Sequence, residues 1–169
     1  VSIDNNNKDK ANKNCDSISL YIEKPGDIDS LKWQIINKTY IKVKYSSLNF
    51  KDIMYSFGKL KLDKYNIGFE FTGYDLNKNR RVMGFSKGSS ISTWVKDIIT
   101  WTIPDNMTFE EASTIPSVYC TVLYALFEKA NLKRGQSVLI HTGSGGVGHA
   151  AIYAAIEINS WRCGSPLMR

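Results

Sequence analysis

Cysteine is scarce in this chain of 169 residues, and its three copies form no recognisable pattern. Cys15, Cys120 and Cys163 are widely separated, and no two of them form a Cys-x-x-Cys pair. This spacing argues against a disulfide framework and against a zinc knuckle. It favours reduced thiols, and we therefore expect a cytoplasmic protein.

Long apolar segments are also absent. The longest apolar run near the C-terminus, residues 150–156, is much shorter than the roughly 18 residues that a membrane-spanning helix needs. The first residues are polar and lack the basic-then-apolar pattern of a secretory signal. We therefore expect no membrane partner. Because the chain begins with Val, we also expect it to be a piece of a longer protein.

The net charge of +6 comes from lysines that are spread along the chain. The densest basic stretch, residues 8–13, is interleaved with Asn and contains no aromatic residue. A nucleic-acid surface usually combines clustered basic residues with aromatic residues that stack on bases. The charge therefore predicts a solvated, lysine-rich surface and no nucleic-acid partner.

The front of the chain has a β-rich pattern. Residues 1–14 are rich in Asn, Lys and Asp, which predicts a disordered lead-in. In residues 40–45, Ile41 and Val43 alternate with Lys42 and Lys44, which predicts a strand with one buried face. Further strands are predicted at residues 17–22, 31–36, 68–72, 81–85 and 92–102. This number of short strands predicts a small barrel or sandwich-like domain over residues 15–105.

From residue 106 the pattern changes to α/β. Thr108 and Glu111 have the spacing of a capping box, which predicts the start of a short helix. A second helix is predicted from the apolar stripe Tyr119, Val122, Leu123, Leu126, Phe127 and Ala130. A short strand at residues 137–141 then leads to a helix with the stripe Val147, Ala150, Ala151, Ala154, Ala155 and Ile158. Residues 159–169 show no strand pattern and are predicted to be an atypical tail.

A glycine-rich loop lies between that last strand and helix. Its residues are Gly143, Ser144, Gly145, Gly146, Val147 and Gly148. The chain thus has a strand, a G-x-G-x-x-G loop and a helix in succession. In such an arrangement, Gly143 permits a sharp turn, Gly145 permits close approach of a pyrophosphate, and Gly148 permits close packing of the helix against the strand. The loop predicts a dinucleotide site, and the alternative is a glycine-rich turn without a ligand.

Several segments resemble a known family. Residues 132–149, LKRGQSVLIHTGSGGVGH, resemble the nucleotide-binding loop of zinc-free medium-chain dehydrogenase/reductases. YSSLNFKDIM at residues 45–54, GFEFTG at 68–73, and IPSVYCT at 115–121 are similar to the enoyl reductase region of animal, insect-like, fatty acid synthases. The same holds for KPGDIDSLKW at 24–33, GKL at 58–60 and RVMG at 81–84. The resemblance covers residues 17 to about 157.

The resemblance implies an α/β protein with two parts. A GroES-like, β-rich substrate domain over residues 15–105 would be followed by the first β-α unit of a truncated Rossmann-type domain over residues 106–158. The implied reaction transfers hydride from NADPH to the β-carbon of an enoyl thioester and adds a proton at the α-carbon. The implied partners are the acyl carrier protein and other domains of the same synthase, and the full-length protein would be a homodimer.

The resemblance also implies site residues. Asn49 and Thr121 would contact the nicotinamide of NADPH, and the glycine-rich loop would bind its pyrophosphate. Asn49 and Asp52 would line the substrate cleft. From their residue types alone, Asn49 and Asp52 could instead cap the turn after the strand at residues 40–45. The suspected proton donors, a Lys and an Asp of the distal half, would lie beyond the chain end, so the catalytic residues stay unassigned.

Two departures from relatives are informative. Zinc-dependent relatives carry Cys at the position of Asn49 and His at the position of Phe69. Zn²⁺ needs Cys, His or carboxylate ligands, so these positions predict a metal-free protein. Residues 159–169 lack the continuation that relatives have, and we expect a truncated or misassembled product with no useful activity by itself. The preference for NADPH over NADH rests on the resemblance alone.

Three functions remain open at this point. The first is the enoyl reductase of a fatty acid synthase. The second has the same chemistry and is the enoyl reductase of a polyketide synthase, or a quinone oxidoreductase. The third is a structural fragment without catalytic activity.

Overall fold

The computed structural model describes residues 17–61, 67–87 and 90–158, and the backbone of Cys163–Gly164. The predicted lead-in at residues 1–14 lies outside the described residues, as does most of the predicted tail at 159–169. The chain forms two compact units, Val1–Ser113 and Thr114–Arg169. The predicted α/β class is confirmed, with a β-rich first unit and a second unit that contains a strand–loop–helix.

The described residues of the first unit form two antiparallel sheets. Strands β1 (Ile18–Ile22) and β2 (Leu31–Ile35) form a hairpin with Ile18 opposite Ile35. The second sheet has five strands in the order β6-β3-β4-β5-β7. Their bounds are Ile41–Ser46 for β3, Glu70–Asp75 for β4, Arg80–Ser86 for β5, Trp94–Val95 for β6 and Asp97–Thr102 for β7. Helix α1 (Phe50–Ser56) connects β3 to β4.

One face of the five-stranded sheet carries a hydrophobic core. Ile41, Phe71 and Val82 have no exposed surface, and Val95 is buried beside them. These β-branched and aromatic side chains suit a pleated surface with one buried face. The alternation in residues 40–45 therefore predicted β3 correctly, and Lys42 and Lys44 are exposed.

The first unit extends to Ser113 and not only to residue 105 as predicted. The capping box is confirmed, because Glu111 Oε2 accepts the Thr108 N–H at 2.8 Å and helix α2 (Phe109–Ser113) follows. The Phe109 ring contacts Tyr74, with ring centroids 5.2 Å apart, and the Arg81 guanidinium lies 4.7 Å from its centroid. These contacts with β4 and β5 keep α2 in the first unit.

The second unit contains helices and a short parallel sheet. Helix α3 (Pro116–Val122) continues as a π-helix over Leu123–Lys129, and α4 spans Gly146–Glu157. Strand β8 (Val138–Leu139) pairs in parallel with β9 (Cys163–Gly164). The pairing corrects the prediction that residues 159–169 contain no strand, since two residues there join the sheet through their backbone.

The core of the second unit agrees with only part of each predicted stripe. Val122, Ala150, Ala151 and Ala155 are buried as predicted, whereas Leu123 is 49% exposed. The Ala130 N–H donates to the Ala125 carbonyl at 2.9 Å, an i→i+5 bond. A π turn is wider than an α turn, so residues after Val122 no longer follow the 3.6-residue period.

Candidate functional site

The glycine-rich loop connects β8 to α4, and Gly145 is the residue that caps the N-terminus of the helix. The Gly145 N–H donates to the Thr142 carbonyl at 3.1 Å. In an α-helix, the first N–H groups have no carbonyl partner within the helix, so those of Gly146, Val147 and Gly148 are available to an anion. The loop therefore presents backbone donors at the positive end of a helix dipole.

Gly148 is required by the packing of the loop itself. A Cβ at this position would lie 2.3 Å from the Thr142 carbonyl oxygen and 2.8 Å from Gly143 Cα. Both distances are far below van der Waals contact, and both partners are backbone atoms that cannot rotate away. Gly148 is therefore close-packed, and its neighbours are the loop residues Thr142 and Gly143 rather than the strand against which the motif predicts packing.

Gly145 differs from Gly148, because the fold leaves space beside it. A Cβ there would meet the Thr142 oxygen only at 3.5 Å, an ordinary contact, and the backbone has a negative φ of −85°. When no ligand is bound, the fold would therefore accommodate a side chain at residue 145. The space that such a side chain would fill is available for close approach of a ligand to the backbone.

The sharp turn out of β8 is made at Thr142 and not at Gly143 as predicted. Thr142 has a φ of +56°, a conformation that β-branched residues rarely adopt, and Gly143 is not among the residues with positive φ. Gly143 is buried. Unusual backbone of this kind is concentrated at binding and catalytic sites, which fits a ligand-binding loop.

The structure assigns Asp52 a structural role. Its carboxylate has no exposed surface, Oδ2 accepts the Asn49 N–H at 2.8 Å, and Oδ1 accepts the Gly68 N–H at 2.8 Å. This corrects the expectation from the resemblance that Asp52 lines a substrate cleft. The capping alternative is the one that the geometry supports, because a residue at the third helical position that accepts the N-cap N–H is half of a capping box.

Asn49 and Thr121 remain partly open to solvent. Asn49 is half-buried, and its Nδ2 donates to Glu70 Oε1 at 3.0 Å, which orients the carboxamide. Glu70 is only 2% exposed, and sequence reasoning did not identify it as the partner of Asn49. Thr121 is exposed on α3, where its hydroxyl donates to the Ser117 carbonyl at 2.7 Å.

The described part of the chain contains no cluster of three or more His, Cys, Asp or Glu side chains that could hold a metal ion. Phe69 and Asn49 occupy the positions at which zinc-dependent relatives carry ligands, so the absence of zinc stays a prediction from sequence. Within the same residues, no helix is both long and apolar enough to span a membrane.

Solved structures of enoyl reductases share the fold of this chain. The CurK enoyl reductase superposes with a TM-score of 0.77 and 26% identity, covering 89% of this chain and 53% of that one. The JamJ enoyl reductase gives 0.76 and 24% over 88% of this chain and 53% of that one. The chain has the fold of a medium-chain enoyl reductase. No protein-family model matches it.

Curated sequences that are similar to this chain include fungal polyketide synthases. The highly reducing polyketide synthase claI of Penicillium crustosum is 33% identical over 166 residues, which is 86% of this chain and 7% of that protein. The highly reducing polyketide synthase pspA of Penicillium soppii is 36% identical over 154 residues, 78% of this chain and 6% of that protein. The chain therefore spans a small part of these relatives. They fit the polyketide-synthase alternative better than an animal fatty acid synthase.

Proposed function

We propose that this chain is part of an NADPH-dependent enoyl reductase within a multidomain synthase of the polyketide type. The observation that carries the proposal is the open backbone at Gly145 beside the close-packed Gly148, at the start of a helix, in the fold of an enoyl reductase. NADPH is supported further by a mycobacterial neighbour of the same fold, solved in complex with NADPH, with 22% identity and a TM-score of 0.75 over 88% of this chain and 50% of that one.

The reaction would reduce the double bond of an enoyl thioester. When bound, NADPH would supply a hydride for the β-carbon, and a proton would be added at the α-carbon. The residues of the loop would bind the pyrophosphate through the N–H groups of Gly146, Val147 and Gly148. In a pre-oriented loop, such donors hold the cofactor without reorganisation. Neither the proton donor nor the acyl substrate is assigned to residues of this chain.

Asn49 and Thr121 are the proposed contacts to the nicotinamide. One N–H of the Asn49 carboxamide is held by Glu70, and its side-chain oxygen accepts the Asp52 N–H in the capping box, which leaves the second N–H as a donor to the nicotinamide. The Thr121 hydroxyl uses its proton for Ser117, so its oxygen can still accept a hydrogen bond. The acyl carrier protein, the other synthase domains and a homodimer of the full-length protein belong to the same proposal.

A fatty acid synthase is the second candidate, and the segments at residues 45–54, 68–73 and 115–121 are the observations that favour it. Both candidates share the chemistry and differ in the domains that surround the reductase. The sequence on either side of this segment in its gene would distinguish them. A chain that binds no NADPH would instead support the non-catalytic fragment.

Titration of NADPH by nicotinamide fluorescence tests the proposal. Gly145→Val should weaken binding by about tenfold or more, because a branched side chain fills the space beside the backbone. Gly135→Asn is the control, since Gly135 has nothing within 4 Å of an added Cβ and Asn is enriched among residues with a positive φ such as its +83°. Unchanged NADPH affinity in Gly145→Val would overturn the assignment of the loop.

A further inference from the structure

The five-stranded sheet has a second face, opposite to its hydrophobic core. Antiparallel partners share a face, and the register pairs Glu70 with Phe85, Phe85 with Ile99, and Met83 with Trp101. The side chains of these residues therefore lie on one surface across β4, β5 and β7. Phe71 and Val82, which alternate with them, lie on the core side.

Aromatic rings form a continuous row on this second face. The centroids of Phe69 and Phe85 are 4.8 Å apart, and those of Phe85 and Trp101 are 5.8 Å apart in an edge-to-face contact. The ammonium of Lys51 lies 4.8 Å from the Phe69 centroid, at the end of the row. We call Phe69, Phe85, Ile99 and Trp101 the aromatic strip. From the Phe69 ring to the Trp101 ring, the strip is on the order of 10 Å long, which is about the width of three neighbouring strands.

The aromatic strip is open to solvent. Ile99 is 46% exposed and Trp101 is 36% exposed, while Phe69 and Phe85 are half-buried. Contiguous apolar surface is unfavourable in water and commonly marks a site where another apolar group binds. A row of rings also offers flat surfaces of well-defined geometry, which favours an extended apolar ligand.

The strip begins at the residues that we propose to face the nicotinamide. Phe69 is adjacent in sequence to Glu70, and Glu70 accepts the hydrogen bond from Asn49 at 3.0 Å. A ligand whose reacting carbons lie near Asn49 would therefore have its remaining atoms next to Phe69. From there the strip leads away across β5 and β7 to Trp101.

We infer that the aromatic strip binds the apolar acyl chain of the enoyl thioester substrate and sets the preferred chain length. The inference rests on the proposed function, because it uses Asn49 as the marker of the reaction site. A second copy of this chain fits the strip less well. Stable dimers bury on the order of 1,000 Å² or more, and four partly exposed side chains offer far less than that.

Two exposed isoleucines in different sheets allow a matched test. Ile99 lies on the strip, whereas Ile35, which is 39% exposed, lies in β2 of the other sheet. Ile99→Gln and Ile35→Gln make the same change in size, polarity and strand propensity. Thermal unfolding should confirm that both variants fold. Trp101→Gln provides a second variant on the strip.

The measurement is calorimetric titration of the chain with trans-2-enoyl thioesters of N-acetylcysteamine that carry four, six, eight or ten carbons. For the unmodified chain, affinity should rise by about two- to fourfold per buried CH₂ until the strip is covered. Ile99→Gln and Trp101→Gln should weaken binding of the eight-carbon thioester by about fivefold or more, and Ile35→Gln by less than about twofold. All three should change the affinity of the four-carbon thioester by less than about twofold, since it lacks the distal methylenes.

Three results would overturn the inference. The first is an affinity that does not depend on chain length, and the second is an equal loss in Ile35→Gln and Ile99→Gln. The third is a concentration-dependent dimer in sedimentation that Ile99→Gln dissociates, which would assign the strip to a second copy. NADPH titration of the same samples separates the two proposals. Intact NADPH binding without chain-length dependence would refute the acyl site alone, and chain-length dependence without NADPH binding would refute the cofactor assignment alone.

Discussion

The Gly68 N–H donates to Asp52 Oδ1 at 2.8 Å, which joins the first turn of α1 to the segment that leads into β4. The other carboxylate oxygen of Asp52 accepts the Asn49 N–H at the same distance. Gly68 has a φ of +97°, and a Cβ there would lie 2.5 Å from the Ile91 N atom. The Asp52 carboxylate therefore fixes the backbone of Asn49 through one oxygen and the segment that leads to Glu70 through the other.

Asp52→Asn should lower the free energy of unfolding by about 2–4 kcal/mol, because an amide nitrogen cannot accept one of the two buried backbone N–H groups. Asp27→Asn is the control, since Asp27 is exposed and accepts the Asp29 N–H at 3.2 Å in a position that Asn caps equally well. Urea titration measures both variants. Equal small losses would show that the two Asp52 hydrogen bonds contribute little.

Gly148→Ala should destabilise the second unit by about 1–3 kcal/mol, because the new methyl group would lie 2.3 Å from the Thr142 oxygen. Gly145→Ala should cost less than about 1 kcal/mol, since its Cβ makes only an ordinary contact. Amide exchange of α4 residues reports on this unit directly. Faster exchange in Gly145→Ala than in Gly148→Ala would reverse the roles that we assign to the two glycines.

The capping box of α2 should make stability depend on pH. The Thr108 backbone N–H, and to a smaller extent the Thr108 hydroxyl, donate hydrogen bonds to Glu111 Oε2. These two hydrogen bonds hold the pKa of Glu111 below the usual value of 4.5. A lowered folded-state pKa stabilises the fold above 4.5, and this contribution is lost as the pH falls through the folded pKa. The stability difference between the unmodified chain and Glu111→Gln should therefore shrink below pH 4.5. Thr108→Ser, which retains the hydroxyl, should behave as the unmodified chain does, and a constant difference across pH would contradict the assignment.

Hydrogen exchange should separate the two sheets. Phe71 and Val82 lie in central strands of a five-stranded sheet and have no exposed surface. Leu139 lies in a two-residue strand paired with another two-residue strand, and it is 64% exposed. Amides of β8 should therefore exchange about a hundredfold faster or more than those of β4 and β5. Equal protection of both sheets would mean that the second unit is more cooperative than its contacts suggest.

Local patterns predicted much of the architecture. The alternation in β3, the capping box at Thr108 and the G-x-G-x-x-G loop each depend on residues that are close in sequence, so their periods and spacings can be read directly. The errors lie where the period changes or where distant contacts decide. Leu123 follows the α-helical stripe and keeps α-helical backbone, but it is 49% exposed beside the buried Val122. The predicted boundary at residue 105 missed the contacts of Phe109 with β4 and β5.

The sequence by itself determined the order of strands and helices, the helix caps and the nucleotide-type loop, because these features arise from backbone preferences and short-range hydrogen bonds. Only the tertiary structure decided which residues do which task. Asp52 became a structural acceptor because Gly68, sixteen residues away, supplies the second N–H. The aromatic strip exists because strand register places Phe85, Ile99 and Trp101 side by side. Register is set by the packing of the whole sheet, and no local period contains that information.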